Sequence, residues 1–164
     1  MVPVISIVGK SNVGKTTLIE KLLGELVKRG YKVSTIKHDV HGFNIDKPGK
    51  DTWRHRKAGA SSVIISSPNK VAMIKTVEEE WSLDKLIELN KDADLVIIEG
   101  FKGSNKPKIE VIRSQLYKDI ISKKEDLIAI ASNTEHNIED VPVYDINNYM
   151  GLVNLIENKI LKNR

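Results

Sequence analysis

The chain has 164 residues, which suits one domain around a single core, and its 40% hydrophobic and 29% charged residues are typical of a globular protein rather than a disordered one. It contains no cysteine, which excludes disulfides, thiolate zinc sites and cysteine nucleophiles. The net charge of +4 favours anionic ligands, whereas 5% aromatic residues without a basic run give no indication of nucleic-acid binding.

The predicted elements alternate between strands and helices. VPVISIVG is an apolar run ending in glycine, as expected for a strand buried on both faces. Leucines at helical spacing then predict a helix over 15–29, which Gly30 ends. Further helices are predicted at 51–59 with Asp51 as N-cap, at 82–90, at 115–123 and from Met150 onward. Further strands are predicted at YKVSTIKH, SSVIIS, VAMIKTV, ADLVIIEG, KPKIEVIR, LIAIAS and VPVYDI.

This alternation predicts an α/β fold with a mostly parallel sheet and helices on both faces. SSVIIS and VAMIKTV flank SPNK and predict a central β-hairpin excursion, either at the sheet edge or as a protrusion. We expect a single domain over 1–164. No apolar run approaches the roughly 20 residues that cross a bilayer, and the N-terminus lacks signal-peptide features, so we expect a cytoplasmic protein without membrane contact.

A phosphate-binding loop is the strongest motif. The stretch from Gly9 to Thr16 matches G-x-x-x-x-G-K-[ST] in full, after a strand and before an amphipathic helix. The glycines let successive backbone N–H groups face an anion, and the helix dipole adds to the attraction. Lys15 would reach the β- and γ-phosphates, Thr16 the Mg²⁺ shell and Thr17 the α-phosphate. The α/β fold is therefore predicted to be of the P-loop NTPase type, with 1–164 as a single P-loop nucleotide-binding domain. The predicted nucleotide-binding residues are Gly9, Lys10, Ser11, Asn12, Val13, Gly14, Lys15, Thr16 and Thr17.

An acid at the end of a neighbouring strand would complete such a site. Glu99 ends DLVIIEG, where its carboxylate could hold Mg²⁺ or orient an attacking water. Asp94 begins the same strand, about 17 Å away, and is excluded by that distance. Glu99 and Lys15 are therefore the catalytic candidates, and Thr16 and Glu99 are metal candidates.

The loop KHDVHGFNIDKPGKD, after the second predicted strand, is a further functional candidate, since long loops in compact domains often carry function. Asp39 or Asp46 could contribute to the metal shell, and the sequence does not decide between them; Asp39 is retained as the third metal candidate. His38 and His41 lie three residues apart, but without cysteines a structural transition-metal site is not expected.

The residues alone do not decide whether the bound nucleotide is GTP or ATP. The stretch NKDAD is similar to the N-K-x-D motif that reads guanine, but Ala93 stands at its fourth position and it precedes a strand instead of following one. ASNTEHN lies where a base-reading loop would be, and Asn133 is its one attractive hydrogen-bonding candidate.

Three stretches together resemble a known family. GKSNVGKTTL, then IKHDVHGFNIDKPGKDTWRHRKAGA, then DLVIIEGFKGSNKPKIEVIR, are similar to successive signatures of the molybdopterin-guanine dinucleotide biosynthesis protein B (MobB) family. The resemblance spans about the first 113 residues. It implies GTP at Gly9 to Thr17, Mg²⁺ near Thr16 and Glu99, a functional loop from His38 to Asp51 and a contribution from the turn 100–102.

The resemblance also implies partners and an activity. It implies a weak Mg²⁺-dependent GTPase that acts as an adaptor to a MobA-like guanylyltransferase, with molybdopterin as a further candidate ligand. It implies a homodimer in which the central hairpin pairs strands across the interface, a use that suits edge strands. The sequence departs from the family at Asn12, where glycine is usual, at His41–Gly42, where paired histidines are usual, and at Thr52, where serine is usual.

Three alternatives use the same architecture. A small-molecule kinase would need a lid that excludes water, and no arginine-rich lid is evident. A nickel-insertion GTPase would need a cysteine or histidine cluster that the chain lacks. A nucleotide-binding scaffold without hydrolysis is the remaining alternative.

Overall fold

The computed structural model describes residues 2–113, 116 and 119–162. The chain divides into two compact units, one made of Met1–His38 and Leu83–Arg164, the other of Asp39–Ser82. The single domain over 1–164 stays a prediction.

The strands are β1 (Val4–Val8), β2 (Val33–Lys37), β3 (Ser62–Ser67), β4 (Lys70–Lys75), β5 (Leu95–Glu99), β6 (Lys108–Ile112), β7 (Leu127–Ser132) and β8 (Val143–Asp145). The helices are α1 (Lys15–Lys28), α2 (Asp51–Lys57), α3 (Leu83–Glu88) and α4 (Tyr149–Ile156), with a 3₁₀ turn at Lys124–Asp126 and a π-helical end at Glu157–Leu161.

A six-stranded sheet in the order β2-β5-β1-β6-β7-β8 forms the centre of the first unit. Every neighbouring pair in it is parallel, so the carboxyl ends of all six strands meet at one edge. Strands β1 and β5 are almost wholly buried, as their continuous apolar runs predicted. Strand β6 is also buried, although it carries Lys108 and Glu110. The predicted P-loop NTPase-like α/β class is confirmed.

Helices cover both faces of this sheet. Alternate strand residues point to opposite faces, so Ile5 and Ile97 pack in one core with α1 and α4, while Val96 and Ile98 pack with α3 in another. The predicted leucine stripe of α1 is buried in the first core. An ion-pair network also joins the end of α1 to the end of α4. The Arg29 guanidinium, just after α1, pairs with the carboxylate of Glu25 on α1 and with that of Glu157 at the C-cap of α4.

The second unit contains α2 and the predicted hairpin. Strands β3 and β4 pair antiparallel from Ser62↔Lys75 to Ser67↔Lys70 and form a two-stranded sheet of their own, so the hairpin is not an edge of the parallel sheet. Asp51 was expected as the N-cap of α2, but Lys50 holds that position with extended backbone. Asp51 is instead the first helical residue, where its charge still favours the helix N-terminus.

The helix predicted over 115–123 is wrong at its carboxyl-terminal end, which is the part that the structure describes. Residues 114, 115, 117 and 118 lie outside the described residues, and 119–123 form no helix. The physical reason is Glu110, whose carboxylate accepts hydrogen bonds from the backbone N–H groups of Ile121 and Ser122 at 2.8 and 2.9 Å. Those donors therefore serve a buried charge rather than a helical ladder.

In the part of the chain that the structure describes, no helix has both the length and the apolar character needed to cross a membrane.

Candidate functional site

The loop between β1 and α1 adopts backbone conformations that depend on glycine. Gly9 has a φ of 145°, and a β-carbon there would lie 2.5 Å from the carbonyl oxygen of Val111 on the neighbouring strand β6. Gly14 caps α1 with a φ of 99°, and no side chain caps the first turn. No acidic residue lies in that first turn, so the positive end of the helix dipole is left for an anion.

The other residues of the loop complete its shape. Asn12 adopts a left-handed φ of 63°, which asparagine tolerates better than most residues. Val13 is buried and would contact a β-carbon on Gly9 at 3.1 Å, so it anchors the loop to the core. Lys10 extends outward and lies 3.6 Å from the carboxylate of Asp119.

Lys15 folds back over the loop it follows. Its Nζ donates to the carbonyl oxygen of Lys10 at 2.8 Å, which holds the ammonium above the loop. Burial lowers the pKa of Lys15 from its usual value of 10.5; Glu99 opposes this shift, and the neighbouring charges of Lys102 and Lys37 add to it. The site thus concentrates positive charge around one partly desolvated ammonium, which an anion would stabilise.

Thr16 and Glu99 meet, as the sequence predicted for the metal candidates. Thr16 Oγ1 donates to the Glu99 carboxylate, 3.2 Å from Oε1 and 3.3 Å from Oε2. Strands β1 and β5 are neighbours, so the end of β5 lies beside the start of α1. A hydroxyl and a carboxylate are hard oxygen donors of the kind that Mg²⁺ prefers, so the donor set fits that ion.

The turn after Glu99 is packed against the end of β2. Gly100 has a φ of 106°, and a β-carbon there would lie 3.1 Å from His38 Cβ. Phe101 adopts a left-handed φ of 48° and stacks its ring on that of His38, with centroids 4.1 Å apart. The N–H of His38 also donates to the Glu99 carbonyl oxygen at 2.9 Å. These contacts fix the backbone from which the Glu99 carboxylate extends.

A cavity of about 440 Å³ opens beside the loop. Two cations that sequence reasoning missed lie at or near it. Lys37 lines the cavity, because β2 and β5 pair with Lys37 opposite Glu99. Arg113 follows β6, and its Nη2 would lie 3.4 Å from a β-carbon on Gly14. The cavity is lined by Ser11, Asn12, Gly14, Lys15, Thr16, Thr17, Lys37 and Glu99.

The two aspartates of the long loop lie in the second unit and have different surroundings. Asp46 is buried and accepts hydrogen bonds from Thr52 Oγ1 at 3.0 Å and Arg56 Nε at 3.2 Å. It therefore ties the loop to α2, and the hydroxyl kept by Thr52 serves this contact. Asp39 is exposed and accepts a hydrogen bond from the N–H of His41 at 3.0 Å. Its metal role stays a prediction.

Among residues 2–113, 116 and 119–162, no three His, Asp or Glu side chains gather into a metal-binding cluster. The Thr16–Glu99 pair is a smaller donor set, of the kind that Mg²⁺ shares with phosphate oxygens and water.

Comparison with known proteins decides the family. The family model described as "MobB: Molybdopterin guanine dinucleotide synthesis protein B" matches residues 4–133, and that range includes the loop, Glu99 and Arg113. The chain belongs to the MobB family. A molybdopterin-guanine dinucleotide biosynthesis adapter protein of Haemophilus influenzae is 39% identical, with 96% of this chain and 89% of that protein covered. The protein of the same description from Escherichia coli is 34% identical, with 95% and 92% covered.

Solved MobB structures have the same fold. The crystal structure of Bacillus subtilis MobB superposes with a TM-score of 0.76 at 27% identity, covering 96% of this chain and 98% of that one. A MobB homolog from Bacillus stearothermophilus superposes equally well, with a TM-score of 0.76, and covers 98% and 99%; at 22% identity it supports the fold alone.

Proposed function

We propose that this MobB-family chain binds GTP with Mg²⁺ at the β1–α1 loop, hydrolyses it slowly, and acts as an adaptor to a guanylyltransferase in molybdopterin-guanine dinucleotide biosynthesis. The observation that carries the proposal is the meeting of Lys15, Thr16 and Glu99 in one cavity, within the range that matches the family model. The names of the Haemophilus influenzae and Escherichia coli relatives support the adaptor role and the pathway.

Charge and backbone geometry support triphosphate binding. Lys15, Lys37 and Arg113 surround the loop with three cations, and the uncapped first turn of α1 adds backbone N–H donors. Charge-assisted hydrogen bonds to phosphate oxygens are among the strong ones available to a protein. In this proposal the Lys15 ammonium neutralises the β- and γ-phosphates, and Arg113 adds a donor from the β6 side.

The hard donors support the Mg²⁺ assignment. Thr16 Oγ1 and the Glu99 carboxylate are the groups that would hold the ion, and they approach it from α1 and from the end of β5. Bound Mg²⁺ would neutralise charge that develops on the phosphates during transfer. Glu99 would also accept a hydrogen bond from the attacking water and orient it. Turnover would be slow, because Glu99 is the one acid that lines this cavity among the described residues.

The hairpin supports self-association. Four large apolar side chains of β3 and β4 are exposed, and β3 pairs with β4 alone in the described part of the chain. Isolated two-stranded ribbons are marginally stable, and exposed apolar edge strands favour further pairing. We therefore retain the homodimer, with the hairpin as its interface. The exposed side chains are Ile64, Ile65, Val71 and Met73.

Reconstituted cofactor synthesis tests the adaptor role. Purified MobA-like guanylyltransferase, molybdopterin and GTP would be combined with the parent chain or with Lys15→Ala, and molybdopterin-guanine dinucleotide would be quantified. The parent is expected to raise the yield, and Lys15→Ala is expected to lose that stimulation. No stimulation by the parent, together with no binding to the guanylyltransferase, would contradict the adaptor role.

Sedimentation tests the dimer. Ile65→Lys is expected to shift the protein toward the monomer, because it places a charge on the proposed interface. Val27→Lys on α1 is the matched control, since both side chains are 58% exposed, and it should leave the association unchanged. A monomeric parent, or an equal effect of both substitutions, would exclude the hairpin interface.

A further inference from the structure

A second polar cavity, of about 640 Å³, lies in the first unit at the carboxyl ends of β7 and β8. None of the residues that line it also lines the cavity beside the phosphate loop. Asp145, the last residue of β8, contributes a carboxylate to it. The lining residues are Ser132, Asn133, Thr134, Glu135, His136, Asn137, Val143 and Asp145.

The loop after β7 is held in shape by its own side chains. Ser132 is buried, and its Oγ accepts a hydrogen bond from the Thr134 N–H at 3.1 Å. The same Oγ lies 3.0 Å from His136 Nε2, which is also 3.3 Å from Thr134 Oγ1. This wall of the cavity is therefore preorganised, which lowers the entropic cost of binding a ligand there.

Asp145 is oriented in a similar way. Its Oδ1 accepts a hydrogen bond from the Asn147 N–H at 2.8 Å. Among the described residues, its Oδ2 has no hydrogen-bond partner. The carboxylate is thus fixed in direction and keeps accepting capacity at the cavity.

The sheet order relates the two cavities. The phosphate loop follows β1, and β6, β7 and β8 come next to it in that order. With strands about 4.8 Å apart, the ends of β7 and β8 lie about 10 and 14 Å from the end of β1 along the same edge of the sheet. Ligands of open α/β sheets bind along this carboxyl edge. This cavity is therefore within reach of the base of a nucleotide whose phosphates lie in the loop.

The charges of the two cavities are opposite. Lys15, Lys37 and Arg113 surround the phosphate loop, whereas Glu135 and Asp145 line the second cavity. Two acids disfavour a phosphate there but accept hydrogen bonds from a base. Guanine presents two adjacent donors, N1–H and the 2-amino group, which suit a carboxylate. Adenine presents the N1 lone pair in the same place and would be repelled.

We propose that the cavity at the ends of β7 and β8 is the base subsite, and that Asp145 selects guanine by accepting hydrogen bonds from N1–H and the 2-amino group. This inference rests on the proposed GTP binding, and it names the residue that gives that binding its specificity. It also accounts for the missing N-K-x-D motif, because the discriminating carboxylate comes from the following strand.

Asp145→Asn tests the proposal by exchanging the preferred base. Xanthine carries a carbonyl oxygen where guanine carries its 2-amino group, so an asparagine amide would pair with N1–H and with that oxygen. We expect the parent to prefer GTP over xanthosine triphosphate. Asp145→Asn should weaken the binding of GTP by about 10- to 100-fold, the cost of losing one bidentate contact to a base. The same substitution should strengthen the binding of xanthosine triphosphate. Glu139→Gln, which neutralises an exposed acid that does not line the cavity, should keep the preference for GTP.

Inorganic triphosphate with Mg²⁺ separates this proposal from the phosphate site. It has no base, so Asp145→Asn should bind it like the parent, and Lys15→Ala should not bind it. If Asp145→Asn keeps the parent's preference for GTP while Lys15→Ala loses all binding, the base subsite is wrong and the proposed function stands. If the parent binds inorganic triphosphate but does not distinguish GTP from xanthosine triphosphate, the subsite is also wrong. A parent that binds no GTP would overturn both.

Discussion

Thr16 Oγ1 donates to both carboxylate oxygens of Glu99, at 3.2 and 3.3 Å, although 83 positions separate the two residues in the chain. Parallel pairing of β1 with β5 brings them together, since Ile7 is opposite Glu99 in the register and the phosphate loop follows β1. The stacked rings of His38 and Phe101 support the turn behind Glu99. The proposed metal and water-orienting groups therefore rest on the most buried part of the sheet.

Glu99→Gln is expected to reduce GTP hydrolysis by about 10²-fold or more and to leave GTP binding largely intact. The amide keeps the shape of the side chain, but it is a poor base and a weaker Mg²⁺ ligand. Phosphate release under single-turnover conditions measures the first effect, and calorimetry measures the second. Asp94→Asn, at the opposite end of β5, is the matched control and should hydrolyse GTP like the parent. Equal rates for Glu99→Gln and the parent would remove Glu99 from the mechanism.

Gly9→Ala is expected to abolish triphosphate binding and to lower the free energy of unfolding. Its β-carbon would lie 2.5 Å from the Val111 carbonyl oxygen, and its φ of 145° strains any other residue. Gly24→Ala is the control, because nothing lies within 4 Å of that position in α1 and alanine favours helices by about 0.5–1 kcal/mol. Thermal unfolding and nucleotide titration of both variants check this. A Gly9→Ala protein that binds GTP normally would show that the loop tolerates a side chain.

Triphosphate binding is expected to take up protons at alkaline pH. Burial lowers the pKa of Lys15, with Glu99 opposing and Lys102 and Lys37 adding to the shift. A bound anion raises that pKa again, so the complex holds more protons than the free protein, and affinity falls as pH rises through the lowered pKa. Calorimetry in buffers of different ionisation enthalpy measures the uptake, which should grow as the pH rises from neutral toward the lowered pKa of Lys15.

Lys102→Gln is the matched variant for this proton uptake. Removing one neighbouring positive charge raises the pKa of Lys15 in the free protein, so less proton should be taken up at a given pH. Binding enthalpies that do not depend on the buffer at any pH would contradict the expected linkage.

Lys108→Ala is expected to lower the free energy of unfolding by about 3–5 kcal/mol, because it leaves the Asp126 carboxylate without its buried partner. Lys108 is fully buried on β6 and its Nζ lies 2.8 Å from Asp126 Oδ2. Lys106→Ala removes an ion pair of the same length with the largely exposed Asp84 and should cost less than about 1 kcal/mol. Urea unfolding measures the loss of stability in both variants. Equal losses would show that burial of the ion pair does not determine how much its removal destabilises the protein.

Local patterns were sufficient to predict the strand-loop-helix geometry of the candidate phosphate site and most elements. The loop from Gly9 to Thr16 and its flanking strand and helix are encoded in neighbouring residues, as are the hairpin strands and the acid at position 99. Each depends on spacing or on runs of apolar residues, and these are visible in the sequence without knowledge of the fold.

Features that depend on strand order could not be predicted. Lys37 reaches the cavity because β2 pairs with β5, and Arg113 reaches Gly14 because β6 lies beside β1. The same holds for residues 119–123, where a distant carboxylate, Glu110, binds the backbone N–H groups that a local helix would have used. Tertiary contacts there override the local helical pattern.

Titration of the purified protein with GTP and with ATP, each with Mg²⁺, tests the central claim most directly. The account predicts clear binding of GTP, a preference for GTP over ATP, and loss of both in Lys15→Ala. Equal affinity or a preference for ATP would contradict the guanine assignment and favour the kinase alternative, while unchanged affinity in Lys15→Ala would contradict the phosphate site itself.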